Sequence, residues 1–474
     1  MTSELGPTAM LEPMRRALKD ANADEAELWV HRRRSAITRY AKNESHQNAA
    51  ADESYVQARV VVGGAMGIAS ANSLDPTDLR RLLADARAAA ELSVPNNDWP
   101  GLASPEPIAE PRSYDKATAG ADAMAQAAPI REIAAAAKAQ GMRAAGTHQI
   151  ELTEDAVANT NGVAVYAPAT MAYLRALVLT DGGGSGWAED LGSNVGALDA
   201  AGIARRATEK AALDHDRVQL EPGEYEAVFE ELAVAEVLRF VSLTGLTGQT
   251  LRDGRSFMAK DTASTGPSGA GGAASVNTRF GEQVTGAEFS LWDDPLDPRT
   301  IATPFDVEGT PRTRVTLVDK GIARGVVHDR QSAKWLGTKS TGHAADARRY
   351  AAGGHAGNLT MAGGTATREQ LIASVRRGVL ITRFHYTNTP DPKRATMTGT
   401  TRDGTFLIEN GRITRALANV RYRMSALDLF SGIELLGKQR LVRDGWSSNG
   451  MGSIFCIAPP IKVARATITG SSPL

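Results

Sequence analysis

Tyr225-Glu-Ala-Val-Phe-Glu-Glu-Leu-Ala-Val-Ala-Glu-Val-Leu-Arg-Phe240 reads as a strand that runs straight into a helix, and that helix carries Glu230, Glu231 and Glu236 but no histidine. Just upstream, Pro222-Gly223 marks a boundary. Downstream the chain turns rich in strands and tight turns. Residues 313–318 and 322–327 flank Asp319-Lys320-Gly321, and residues 405–408 and 412–415 flank Glu409-Asn410-Gly411, so both pairs predict antiparallel hairpins. Asp-Gly and Asn-Gly pairs recur too often here for a helical bundle. The glycine and serine content of residues 262–275 predicts a mobile loop. Residues 223–474 therefore predict a β-rich, barrel-like C-terminal domain.

Upstream the pattern differs. A helix over residues 8–21 precedes strand-like runs at 26–31 and 36–41, and residues 54–62 meet Gly63-Gly64 before 65–70, which predicts a hairpin. Asp75-Pro76 supplies an N-cap and a proline at the first helical position, opening a helix with Leu79, Leu82, Leu83 and Ala86 on one face. Pro95, Pro100, Pro105, Pro107 and Pro111 then stop regular structure and suit a semi-rigid linker. An alanine-rich helix over 117–140 leads into strands at 148–153, 163–166 and 171–179, with Asn161-Gly162 as the turn. Residues 181–186 predict a flexible loop and 198–213 a helix. The expected class is α+β: two N-terminal α+β units with antiparallel sheets at 1–93 and 117–222, a proline-rich linker at 94–116, and the barrel-like domain at 223–474.

A chain of 474 residues is too long for one hydrophobic core, and its hydrophobic share of 42% and charged share of 23% are those of a globular protein. A net charge of −1 with scattered basic residues gives no field to hold phosphate backbones, which argues against nucleic acid. The densest basic run, Arg32-Arg33-Arg34, reads as a solvated strand edge. The start lacks the pattern of a signal peptide, no run of eighteen apolar residues could cross a bilayer, and a single cysteine excludes an internal disulfide. A cytoplasmic location without membrane contact is expected.

Several separated segments carry a resemblance. They are Thr38-Arg-Tyr-Ala-Lys-Asn43 through Arg59-Val-Val-Val-Gly-Gly-Ala-Met-Gly67, then Thr303-Pro-Phe-Asp-Val-Glu-Gly309, Gly321 through Ser332-Ala-Lys-Trp-Leu-Gly337, Lys339-Ser-Thr-Gly-His343, and Phe406-Leu-Ile-Glu-Asn-Gly411. In order and spacing the chain resembles the TldD/PmbA family of metallopeptidases over most of its length. Active members of that family place a zinc-binding His-Glu-x-x-x-His in the helix that follows the strand at 225–229. The family's second kind of subunit, the PmbA or TldE type, lacks this motif and partners the first. Ser340-Thr-Gly-His343 and Arg377-Gly-Val-Leu-Ile-Thr-Arg-Phe-His385 are similar to that second kind.

With Ala233-Val234 matched to two interior motif positions, the family's histidines fall on Glu231 and Glu236, and its glutamate falls on Leu232. The nearest histidines in sequence are His215 and His328. A peptidase zinc needs imidazoles or thiolates, an open coordination position and a carboxylate that takes a proton from water. Leu232 cannot take a proton. Carboxylates at 231 and 236 favour hard cations, and five residues of helix point them in diverging directions. Cys456 stands near the position where active relatives supply a third, thiolate, ligand, and without companions it reads as a buried structural cysteine. No catalytic, cofactor-binding or metal-ligating residue is therefore assigned in this chain.

Other candidates reduce to structure. His343 in a Thr-Gly-His turn and His355 among glycines lie twelve apart without helical register, so they read as solvent-facing or turn-capping, and His328-Asp329 reads as a hairpin end. Gly183-Gly-Ser-Gly-Trp187 breaks the nucleophile-elbow pattern, and neither 182–186 nor 266–272 continues as a phosphate loop. Glu230 and Glu231, adjacent on a helix, do not form a facing acid-base pair and read as acids that complement the macrodipole. An exposed edge strand of the C-terminal unit could bind extended peptide without any catalytic residue.

The resemblance implies a non-catalytic subunit of a TldD/PmbA-type zinc metallopeptidase complex acting on peptides or peptide-like conjugates. It would hold no cofactor itself, and the zinc would sit in a TldD-type paralogue, in a heterodimer or higher assembly. A homodimer, a stand-alone peptide-binding or scaffold protein of the same fold, and a hydrolase using Glu231, Glu236 or Cys456 in a non-standard metal site are the alternatives.

Overall fold

The computed structural model describes residues 4–260, 277–346, 348, 354–443 and 454–473. The loop expected at 262–275 and the glycines at 266–272 lie outside the described residues. The N-terminal half is organised around strand β1 (Glu25–Ala41), which is continuous where two runs were expected. It pairs antiparallel on one side with β2 (Glu44–Val62) and on the other with β4 (Arg143–Asn159). With β3 (Ala65–Ala71), β5 (Ala164–Leu179) and β6 (Ser185–Gly192) they make one six-stranded sheet of order β3-β2-β1-β4-β5-β6. Strands from both expected N-terminal units thus share a single sheet.

Arg32-Arg33-Arg34 is not a solvated edge. It lies in the middle of this sheet, with Arg32 and Arg34 buried, because neighbouring strands supply the counter-charges. Arg32 Nη1 donates to Glu154 at 2.7 Å and its Nε to Asp52 at 2.9 Å, while Arg33 Nε donates to Glu151 at 2.8 Å. Pairing on both sides is what lets three consecutive cations continue a strand.

Helices cover one face of the sheet. Helix α1 (Gly6–Lys19) and α2 (Pro76–Glu91) bury Met10, Met14, Leu79 and Leu83 against Leu28, Val30, Val56 and Val60. Asp75 caps α2 as expected, accepting from Thr77 N at 2.8 Å. The helix expected at 117–140 is two: the short α3 (Lys116–Ala119) ends at Gly120, and Asp122 caps α4 (Ala123–Ala139) by accepting from Ala125 N. With α5 (Ala200–Leu213), α4 encloses Ile130, Ile133, Leu174, Val178 and Ile203.

Two glycines set how closely helices approach. A Cβ on Gly67 would lie 2.0 Å from Ala86 O of α2, and one on Gly186 would lie 2.1 Å from Ala207 O of α5. Gly186 is therefore a strand glycine under a helix, and the flexible loop expected at 181–186 shortens to a turn closed by Gly184 N donating to Thr180 Oγ1.

The remaining elements are β7 (Gly223–Phe229), α6 (Glu231–Gly245), α7 (Gly248–Arg252), β8 (Leu291–Asp293), β9 (Val315–Asp319), β10 (Ile322–Ala323), α8 (Arg330–Trp335), β11 (Asn358–Met361), α9 (Arg368–Ala373), β12 (Arg377–Asp391), β13 (Thr396–Glu409), β14 (Arg412–Ala416), β15 (Val420–Ser425), α10 (Ala426–Ser431), β16 (Ile433–Leu436), β17 (Arg440–Arg443), β18 (Phe455–Ala458) and β19 (Ile461–Ser471). Strands β12, β7, β19, β15 and β13 pair in that order, and β13 returns to β12, closing a five-stranded barrel as the barrel-like expectation required. A second sheet runs β10-β9-β8-β11-β18-β17. Helix α6 lies between the barrel and this sheet, and one apolar core spans Phe229, Val234, Leu238, Leu359, Phe384 and Cys456.

The proline-rich segment ties the halves together. Trp99 Nε1 donates to Glu25 of the first sheet, while Arg330 of α8 donates to the carbonyls of Pro100, Gly101 and Leu102. Beside it Arg59 Nη1 lies 3.1 Å from Glu308 and 3.7 Å from Glu27. Among the described residues no helix is long and apolar enough to cross a membrane.

Gly67→Ala is expected to cost about 3 kcal/mol by forcing β3 away from α2. Urea unfolding with a far-ultraviolet readout checks it; a midpoint equal to that of the parent chain would contradict the close approach.

Candidate functional site

Ten of the fifteen residues of α6 are buried, among them Glu236 and Arg239. The carboxylates at the expected motif positions are already engaged. Glu236, 2% exposed, accepts from the Thr387 hydroxyl on β12, which lies 2.6 Å from the Tyr422 hydroxyl on β15. Glu231 sits in the first turn with Arg440 4.0 Å away. The Cys456 thiol is buried on β18 and points at the Ala235 carbonyl, 3.9 Å distant.

Glu230 does not act as a macrodipole acid. As N-cap residue it makes no side-chain cap, and instead it is buried against Lys210 of α5 and Arg368 of α9, the latter at 3.0 Å. Burial opposes its charge, but the two cations outweigh that penalty and hold its pKa down to about 2. Among the described residues no group of three His, Cys, Asp or Glu side chains is placed to hold a metal ion. Glu231, Leu232, Glu236 and Cys456 do not fit a peptidase zinc, since the set lacks imidazole and each polar member faces a protein partner.

A cleft of about 290 Å³ opens between the first sheet and the C-terminal region. Trp29, His31 and Arg33 of β1 and Asp155 of β4 form one wall; Phe305, Arg312, His343 and His355 form the other. The period-two alternation of β1 puts Trp29, His31 and Arg33 on the face opposite the helices. His31 Nδ1 lies 2.9 Å from Asp155 Oδ1, which also accepts from Trp29 Nε1 at 3.3 Å.

Of the two readings of His343, turn-capping holds and solvent-facing does not. His343 is fully buried with Nε2 2.9 Å from Asp293 Oδ1 and Nδ1 2.8 Å from the Thr341 carbonyl, so both ring nitrogens are engaged. His355 N donates to the His343 carbonyl, which brings residues twelve apart in sequence side by side. Burial opposes the charge of Asp293, but His343, Arg312 and the Asn358 amide together hold its pKa below the usual range. His328 is no hairpin end either: Asp329 caps α8 by accepting from Ser332 N at 2.7 Å, and His328 is buried behind it.

Chemically the cleft offers hydrogen-bonding groups among apolar side chains, without an activated nucleophile. Its histidines are held by neighbours, and its cations face carboxylates. Asp293 escaped the sequence because its partner is fifty positions away and only the fold joins them. The β1 face was hidden too, because Leu28-Trp29-Val30 and Arg32-Arg33-Arg34 do not alternate in polarity.

Burial lowers the pKa of His328 to about 4, with Asp329 opposing and His343 adding to the shift. A histidine with a depressed folded pKa contributes stability above its unfolded value near 6.5 and loses it as pH falls toward 4. His328→Gln is thus expected to lessen the acid destabilisation between pH 6.5 and 4 by up to about 3 kcal/mol. Thermal unfolding across that range checks it, and parallel curves for the two chains would refute it.

Comparison with known proteins places this geometry. Residues 26–90 match the PmbA/TldA metallopeptidase domain 1, residues 108–213 the central domain and residues 222–470 the C-terminal domain. A Metalloprotease TldD homolog of Haemophilus influenzae is 27% identical over 168 residues, covering 35% of this chain and 33% of that one. A second, from Buchnera aphidicola, is 23% identical over 209 residues, covering 42% of each. These matches span less than half the length of either relative. The crystal structure of TldE from Thermococcus kodakarensis superposes with a TM-score of 0.84 at 21% identity, covering 97% of this chain and 100% of that one. A Thermotoga maritima structure gives 0.80 at 18%, covering 97% and 99%. With all three domains matched in order, the chain belongs to the PmbA/TldD metallopeptidase family.

Proposed function

We propose that this chain is a non-catalytic, TldE-type subunit of a zinc metallopeptidase assembly that acts on peptides or peptide-like conjugates in the cytoplasm. The observation that carries the reading is helix α6, where the family scaffold is kept while the ligand positions hold Glu231, Leu232 and Glu236. The carboxylate of Glu236 is committed to Thr387, and that of Glu231 faces Arg440. A zinc ion introduced there would have to displace these contacts and would still find no imidazole.

In this reading the zinc, the activated water and the general base belong to a TldD-type paralogue. This chain supplies surface to the assembly and binds substrate backbone without reacting with it. The cleft beside Trp29 and His31 suits that task, since its groups are paired and offer hydrogen bonds and shape rather than a reactive centre. Likeness to the Thermococcus TldE fold adds support for the subunit type.

The test is reconstitution. The purified chain alone is expected to hold less than one zinc per ten chains by plasma mass spectrometry and to cleave no peptide. Co-expressed with a His-Glu-x-x-x-His paralogue it is expected to co-purify and to raise that protein's peptidase rate at least tenfold. Stoichiometric zinc on the isolated chain, or cleavage by it alone, overturns the proposal.

A further inference from the structure

Glu151, Asp155, Asp306 and Asp346 bring carboxylates to the lining of the cleft, and three of them are fully occupied within the chain. Glu151 holds Arg33 at 2.8 Å, and Asp346 holds Arg348 at 2.6 Å. Asp306 has no cation on it, but the backbone N–H groups of Glu308 and Thr310 take its Oδ1 and that of Ala344 takes its Oδ2. Asp155 differs from all three. Its Oδ1 receives both Trp29 Nε1 and His31 Nδ1, its Oδ2 receives nothing, and no lysine or arginine lies within ion-pair distance of it among the described residues.

The imidazole beside it has the same need. Because His31 Nδ1 lies 2.9 Å from the carboxylate, the neutral ring carries its proton there, which makes Nε2 an acceptor; that atom too has no partner among the described residues. His31 and Asp155 face each other across β1 and β4, with side chains 19% and 15% exposed, so two open acceptors stand together at the edge of water. Opposite Asp155 and Thr153 on β5 are Ala167 and Ala169, whose short side chains leave the space over the carboxylate clear. Met171, Ile301 and Phe305 add apolar surface to the same cleft. A carboxylate withdrawn this far from water, with only neutral donors on one oxygen, is stabilised by a cation that brings its own N–H groups.

We propose that Asp155 and His31 bind a primary ammonium group, supplied by the free amino terminus of a peptide or by a lysine side chain, with the attached carbons against the apolar lining. The ammonium donates to Asp155 Oδ2 and His31 Nε2 and keeps its third N–H for water. A guanidinium fits less well, since its planar fork matches both oxygens of one carboxylate and Oδ1 is already taken. The cleft volume of about 290 Å³ is at the lower end for ligand pockets, which suits an end group and its near neighbours rather than a whole strand.

The inference rests on the reading of this cleft as a substrate-binding surface, and it needs neither zinc nor the paralogue. Calorimetric titration of the full chain alone, at pH 7 where an α-amino group is mostly protonated, compares tetra-alanine amide with its N-acetyl form. Acetylation removes the charge and is expected to weaken binding by roughly tenfold or more. Nα-acetyl-lysine amide separates the two sources: binding by it extends the site to lysine side chains, and its failure beside a bound tetra-alanine amide assigns the site to amino termini. Asp155→Asn keeps the shape and an acceptor for Trp29, and should bring the free-amino probe down to the level of the acetylated one. The two probes on the unaltered chain decide the matter even where that variant fails to fold. Equal binding of the free and acetylated peptides, no binding of any probe, or a preference that survives Asp155→Asn overturns the proposal. Such a result leaves the subunit reading standing, whereas failure to co-purify with the paralogue sinks that reading and leaves this site untouched.

Discussion

Charges carried into the interior by α6 and by the strand before it must be met by partners that the fold already contains. Glu230 is the clearest case: bringing a carboxylate out of water costs several kcal/mol, and only Lys210 on one side and Arg368 on the other make its ionised form the stable one. Those partners come from α5 and α9, so the ion cluster ties the helical layer of the first sheet to the barrel region. Glu236 makes a similar tie between α6, β12 and β15 through the Thr387 and Tyr422 hydroxyls. A carboxylate that holds elements together in this way is poorly suited to exchange its partners for a metal. Losing one partner of a buried pair strands the other, at about 3–5 kcal/mol.

The same logic governs the junction between the halves. Arg59 faces both Glu27 and Glu308, with Asp306 and Arg330 close by, and burial with two neighbouring acids pushes the Glu27 pKa up to about 8 against the pull of Arg59. A carboxyl held above its unfolded value favours the folded state below pH 4.5 and withdraws that contribution as pH rises toward 8. The buried histidines act with the opposite sign, losing stability as pH falls below 6.5. The two kinds of penalty therefore overlap at mildly acidic pH, between 4.5 and 6.5.

Much of the fold could be read from the chain because the signals were local. Asp75-Pro76 capped a helix, Gly63-Gly64 and Asn410-Gly411 turned hairpins, and the strand-to-helix step after Phe229 fell where it was expected. What failed was long-range. Arg32-Arg33-Arg34 looked like an edge because its carboxylate partners Asp52, Glu151 and Glu154 are supplied by other strands. Gly186 looked mobile because the helix above it begins fourteen positions later. His343 and His355 looked exposed because Asp293, which holds the first, is invisible until β8 and the turn at 341–343 are side by side.

These failures share a direction that bears on function. In each, a polar or flexible-looking residue proved to be structural once its distant partner was in place. The acids of α6 follow the same rule, since their partners in the folded chain lie far away in sequence. A helix that had merely lost its histidines would retain a polar hollow lined by unused groups. Here Glu236 is hydrogen-bonded, Glu230 is doubly paired and Leu232 packs against the core, so these side chains serve the scaffold. Under the proposed subunit reading, such engagement suits a chain that holds its shape beside a catalytic partner.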